Sequence, residues 1–294
     1  IKKMPIEVPK YLVEQEVNHM KESMFAQFNL PKEQKDDLIA GQETTKEMTA
    51  EATKRVQLGL IFNTMVQEYK VQPKEADIEK VISQSDRVVS IHSEDEEILN
   101  LRKKFIKEGD VHSHPEWRNT ECAISSTRRV VKIAEQYNKQ IHVLHVTTKE
   151  EVDFLAMHKK NVTFEITPQH LTLYAPDCYD KLGTYAQMNP PLRTKEHYDR
   201  LWVAIKNNIV DVLGSDHAPH SKENKDKEYP DTPSGMPGVQ TIFPVMLGHI
   251  NDGKLTLEQL IKLMCENPCR IFGIKNKGYI KEGYDADLTI ADMN

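Results

Sequence analysis

Two kinds of hydrophobic spacing divide the chain near residue 75. Before it, apolar residues recur at helical intervals: Val13, Val17, Met20 and Met24, then Val56, Leu60, Ile61, Met65 and Tyr69. That period predicts helices, one opened by Pro5 and Pro9 and a second from about Thr45 to Tyr69. Lys, Glu and Gln fill the other faces, the pattern of an ordinary amphipathic bundle. The frequent Met equally suits an adaptable surface for apolar client segments.

After Val71-Gln72-Pro73 short apolar runs alternate with helical ones. The spacing predicts helices over Glu75–Gln84, Glu94–Lys107, Glu121–Tyr137 and His197–Asn207. Between them lie strand-like runs at Arg87–Ile91, Ile141–Val146, Val162–Ile166 and Ile209–Leu213. Strands alternating with helices at this spacing predict a parallel α/β arrangement. The tail KGYIKEGYDADLTIADMN reads as short β segments with Gly turns.

Composition changes this picture little. Of 294 residues, 38% are hydrophobic and 29% charged, which fits a water-soluble protein with ample core. A formal net charge of −6 argues against nucleic acid or an anionic membrane as the main partner. Cys122, Cys178, Cys265 and Cys269 form no CxxC pair, so a reducing, cytoplasmic compartment fits best. No apolar run approaches a membrane span, and a start at Ile1 reads as a processed or partial product.

The chemistry gathers where the strands stop. The run VDVLGSDHAPHS ends a buried strand at Gly214 and supplies Ser215, Asp216, His217 and His220. His92 follows VVSI and His145 follows IHVL in the same way. Any one of these is as well explained by a hydrogen-bonded structural role. If the strands are parallel neighbours, however, His92, His145 and Asp216 converge on one rim, and two imidazoles with a carboxylate suit zinc or a similar divalent ion. His142 alternates out of phase and reads as structural, and His112 and His114 read as a solvated or loop-packing pair. His170 sits just past a strand and is placed to line the rim. Asn189 in QMNPPLR offers an amide to a carbonyl or amide substrate. Arg193 suits a carboxylate partner or a helix start, and the glycines of Thr232–Gly238 let backbone N–H groups approach a ligand.

Two resemblances follow. IEVPKYLVEQEVNHM and EATKRVQLGLIFNTMVQEYKV resemble part of the C-terminal helical domain of trigger factor, a folding chaperone. From about Asp77 to Asn294, VVSIHSEDEEIL, HVLHVTT, FEITPQHLTLYAPD, QMNPPLR, VDVLGSDHAPHS, PSGMPGVQT and GYDADLTIAD together resemble dihydroorotase, of the metal-dependent amidohydrolase superfamily. This second resemblance implies the C-terminal half of a (β/α)8 TIM-type barrel plus a small terminal β segment, with the helical segment in front. It implies reversible hydrolysis of the cyclic amide of dihydroorotate to N-carbamoyl-aspartate, in pyrimidine biosynthesis. His92, His145 and Asp216 would hold one or two Zn2+ ions, with Asp216 also the catalytic acid and base. Asn189, His220 and the backbone at Ser234 and Gly235 would contact substrate.

The family pattern also has an HxHxR strand and a bridging carboxylate in its first half, and neither is visible in this sequence. The expected division is therefore a helical segment over 1–75 and a partial barrel over 76–294. An open half barrel calls for a second copy or a partner chain to cover its edges. The alternatives to an enzyme are a non-catalytic dihydroorotase-like scaffold and a chaperone-like helical module.

Overall fold

The computed structural model describes residues 8–26, 41–42, 44–68 and 75–292. The chain forms two compact units, Ile1–Lys74 and Glu75–Asn294. In the first, α1 (Lys10–Ala26) and α2 (Lys46–Glu68) pack on each other. Val17 and Ala52 are buried, and the Thr45 hydroxyl accepts from the Met48 N–H at 3.1 Å to start α2. Arg55 joins the helices through Glu16 at 3.3 Å. Pro5 and Tyr69, expected at the ends of these helices, lie outside the described residues.

The second unit is a four-stranded parallel sheet in the order β1 (Val89–Ile91), β2 (Ile141–Val143), β3 (Val162–Ile166), β4 (Val212–Leu213). Adjacent strands pair in register, Val89 with Ile141, Ile141 with Val162, and Glu165 with Val212. α3 (Glu75–Gln84) leads in, burying Ile82. α4 (Glu96–Arg102) and α5 (Thr120–Gln136) connect β1 to β2, α6 (Lys149–Ala156) connects β2 to β3, and α7 (Pro168–Thr172) and α8 (Lys195–Lys206) connect β3 to β4. Each connection returns to the same end of the sheet, so all four strands point one way.

Local sequence sets where these helices begin. Asp95, Asn119, Thr148 and Thr167 each accept a backbone N–H of the first turn they precede. After β4 come α9 (Ile242–Asn251), α10 (Leu257–Ile261), a π turn over Lys262–Glu266, and α11 (Asn267–Phe272). Thr256 and Gln259 form a reciprocal cap on α10.

The alternation of β3 shows how the sheet divides its faces. Val162, Phe164 and Ile166 are fully buried and join Val130, Ala134, Val152, Leu155, Leu201 and Ile205 in the main core. The opposite face carries Thr163 and Glu165. His142 lies beside them, with Nδ1 2.8 Å from Thr163 Oγ1 and Nε2 3.1 Å from Glu165 Oε2. A second cluster of Val111, Ala175, Tyr179, Met188, Leu192 and Tyr229 lies under the loops beyond the strands.

The tail departs from expectation. Among the described residues no strand follows β4; the stretch after α11 runs as turns and coil, with Ile280 92% and Ile290 96% exposed. β-like sequence needs a neighbour to complete its ladder, and this stretch finds none among the described residues. Instead the Lys277 ammonium gathers Asp285, at 3.0 Å, and Asp287.

Candidate active site

Strand geometry brings the predicted residues to one end of the sheet. β1 stops at Ile91 and His92 follows; the Leu144 N–H donates back to Ile91 O at 3.0 Å, and His145 follows that. The Gly214 N–H donates to Ile166 O at 3.0 Å, and Asp216 follows two residues later. His145 and Asp216 both have left-handed backbones, φ 34° and 40°. Among the described residues the other non-glycine residues with positive φ are Asn138, Asn208 and Asn276, of the type that tolerates it best. Strained backbone at the two strand-end candidates turns their side chains out of the strand direction.

His92 Nδ1 and His145 Nε2 are 3.0 Å apart, with the rings edge-on at a centroid distance of 4.7 Å. On its other side His92 Nε2 lies 2.9 Å from Glu94 Oε2. Glu94 is buried and also accepts from Arg118, whose Nε is 3.2 Å from each carboxylate oxygen. Burial raises the Glu94 carboxyl, but the His92 bond and the Arg118 guanidinium outweigh it and hold it down to about 2. A carboxylate only accepts, so His92 Nε2 carries hydrogen. Burial, then the His92 charge, keeps His145 down to about 4, so its ring is neutral near pH 7. Its Nδ1 is buried without a partner among the described residues.

Asp216 is half-buried, and burial raises its carboxyl while His92 pulls it down and Glu165 pushes it up. Among the described residues no three His, Cys, Asp or Glu side chains close into a metal-holding cluster. The structure thus joins His92 to His145 and leaves Asp216 outside that contact.

The substrate-side candidates sit on two facing loops. His217 and Met236 form a parallel bridge, and the Ala218 N–H donates to Met236 O at 3.0 Å. His217 Nδ1 accepts from the N–H groups of Gly238, at 2.9 Å, and Val239, at 3.2 Å. His220 Nε2 is 3.1 Å from Ser234 O, so two predicted substrate contacts touch each other. Gly235 has φ 142°, and a Cβ there would stand 2.5 Å from Ala218 O; only glycine lets the loops meet this closely. Gln187, just before Asn189, donates to Ser234 Oγ at 3.0 Å and accepts the Gly235 N–H at 2.9 Å. The buried Lys225 donates to Gln187 O and Pro233 O, at 3.3 and 3.0 Å.

Other expectations resolve differently. Arg193 is buried and donates to Thr147 Oγ1 at 3.1 Å and to Arg118 O, and among the described residues no carboxylate is hydrogen-bonded to it. Through these two bonds it braces the loops. His170 is fully enclosed, tied to Thr167 Oγ1 and Pro190 O, so it supports the rim from below. The two loop histidines part company: His112 pairs at the surface with Asp180 at 3.2 Å, while His114 is wholly buried. Glu94 and Arg118, which orient His92, were not among the expected residues. Their signal in the sequence is only a carboxylate two positions after a strand-end His.

The amidohydrolase family profile matches residues 4–294. A dihydroorotase of Methanosphaera stadtmanae is 34% identical over 220 residues, covering 72% of this chain and 50% of that protein. An L-hydantoinase of Paenarthrobacter aurescens is 32% identical over 218 residues, 70% of this chain and 47% of its own. The solved L-hydantoinase of Arthrobacter aurescens superposes with a TM-score of 0.70 at 27% identity, covering 74% of this chain and 51% of that one. The chain spans about half the length of the relatives it matches. A parallel sheet with its histidines and Asp216 at one strand end agrees with that match, and the chain belongs to the amidohydrolase family.

Proposed function

We propose that the chain is a metal-dependent cyclic amidohydrolase of dihydroorotase type, hydrolysing dihydroorotate reversibly to N-carbamoyl-aspartate in cytoplasmic pyrimidine biosynthesis. The observation that carries the reading is the His92–His145 contact at the strand ends, oriented by Glu94 and Arg118. Two imidazole nitrogens 3.0 Å apart at one strand end suit a borderline divalent ion such as zinc. His92 Nδ1 and His145 Nε2 would hold it, with Asp216 as the carboxylate donor. When bound, the ion supplies Lewis acidity toward the ring carbonyl and an acidified water.

The remaining roles belong to the chain's own side chains. The Asp216 carboxylate takes the proton of the attacking water and delivers it to the leaving amide nitrogen; burial raises its proton affinity toward what a general base needs. Asn189 and His220 hold the polar groups of the substrate, with the Ser234–Gly235 backbone beside them. Gln187 and Lys225 keep the Ser234 loop in place.

In this reading the unit from Glu75 onward is the second half of a (β/α)8 barrel, and β1 and β4 are its open edges, which a second copy or a companion chain covers. The lack of an HxHxR motif in the sequence favours, as the second reading, a non-catalytic dihydroorotase-like scaffold. The trigger-factor-like helices add a third role, binding apolar segments through residues 1–75. The relative acting on hydantoins makes five-membered cyclic ureides the competing substrate class.

The deciding experiment measures hydrolysis of dihydroorotate, and of a hydantoin in parallel, by the zinc-supplied chain and by Asp216→Ala. Turnover of dihydroorotate that falls at least a hundredfold in the variant supports the proposal. Turnover of hydantoin alone moves the substrate assignment, and no turnover of either favours the scaffold.

A further inference from the structure

Buried His114 holds Asn189, and buried His170 holds the next residue, Pro190. On the one-turn helix His114–Trp117, the His114 ring is fully enclosed, and its Nε2 lies 3.1 Å from Met188 O and 3.0 Å from Asn189 Oδ1. On the far flank the buried His170 sets Nε2 3.1 Å from Pro190 O and Nδ1 2.7 Å from Thr167 Oγ1. Carbonyl oxygens only accept, so both Nε2 atoms carry hydrogen. One His114 N–H therefore faces the Met188 carbonyl and the Asn189 side chain together. The Asn189 atom turned toward it must be the oxygen, which removes the usual freedom of an amide to flip. The Asn189 Nδ2 group is left without a partner among the described residues, in a half-buried side chain at the rim.

We propose that His114 is a positioning residue that fixes Asn189 as a hydrogen-bond donor, so that this subsite takes a carbonyl or carboxylate oxygen of the ligand and rejects a ring N–H. The inference rests on the reading that Asn189 contacts substrate. Two further observations agree with it. His114 Nδ1 is buried and unpartnered, as the acceptor nitrogen of an Nε2–H ring in an apolar pocket would be. Burial holds His114 down to about 4 and His170 to about 3, so both rings stay neutral and each keeps one donor. The pocket is lined by Trp117 and Tyr229, each edge-on to the His114 ring, which leaves the imidazole one orientation.

Two measurements test this separately. In the 15N-histidine-labelled chain, His114 should show the Nε2–H tautomer at neutral pH; the Nδ1–H tautomer overturns the proposal. Calorimetric affinity for N-carbamoyl-aspartate and the KM for dihydroorotate are then compared in His114→Leu and His114→Gln. Loss of an oriented hydrogen bond predicts a rise of about tenfold in Kd and KM for Leu, with kcat changed less than twofold. The Gln variant, which keeps a donor of similar reach, should recover most of that loss. Leu binding as tightly as the parent, or Gln failing as badly as a folded Leu variant, overturns the proposal. A parent chain that binds neither compound overturns the subsite assignment together with the substrate reading, while the tautomer still decides whether Asn189 is locked. Should the Leu variant not fold, the tautomer and the Gln variant carry the test.

Discussion

His92 owes its orientation to a residue two positions along the chain. Glu94 accepts its Nε2–H, and Arg118 keeps Glu94 charged inside the protein. Replacing Glu94 by Gln ends that one-way relation, since an amide can donate as well as accept. Divalent-metal affinity should fall by roughly 10- to 100-fold, the range seen when such an outer partner of a ligating histidine is lost. A zinc titration against a competing chelator reads this directly, and unchanged affinity would separate Glu94 from the site. The buried histidines predict a pH effect at the same scale. Folded His114 releases its proton near about 4, whereas in the unfolded chain it does so near about 6.5. Between those values the unfolded state binds the extra proton, so stability rises with pH. It is full above about 6.5 and is lost as the pH falls toward 4, by roughly 3 kcal/mol for this one residue. Urea midpoints measured from pH 7 to 4 should show a shallower slope in His114→Gln.

The elements show which parts of this were legible beforehand. Glu75–Gln84 and Val162–Ile166 fall where the spacing puts them, because each presents a clear helical or alternating face to one core. The common direction of the strands followed from alternation with helices; that they are also neighbours, which brings the ends carrying His92, His145 and Asp216 to one side, came only with the fold. What periodicity could not reveal is polar and non-local. The His114 contact with Asn189 spans 75 residues of chain, and Arg193 braces two loops that only folding brings together. The tail was misread for a related reason: its β character is genuine, but a strand is a property of a pair. Phe164, fully buried in the middle of β3, is the best probe of the sheet itself. Phe164→Ala should cost about 3–5 kcal/mol by loss of burial and an unfilled cavity, visible in chemical denaturation. A cost below about 1 kcal/mol would mean that the sheet is not packed as described.

Among the described residues, the main and the loop-supporting cores are built from the unit that begins at Glu75. A chain cut to residues 75–294 should therefore keep its far-ultraviolet circular dichroism signature for the sheet and a cooperative thermal transition. Loss of that transition would show that residues 1–74 complete the fold rather than precede it. Among the described residues no helix is long and apolar enough to cross a membrane.

The left-handed backbones at His145 and Asp216 carry a consequence of their own. Asparagine or glycine would sit at either position with less strain, and at His145 would also relieve a buried nitrogen that has no partner among the described residues. A search among random variants for heat resistance alone should therefore return substitutions at these two positions, and those variants should be the ones that no longer hold metal. In the proposed reading, durability and chemistry compete for the same two side chains.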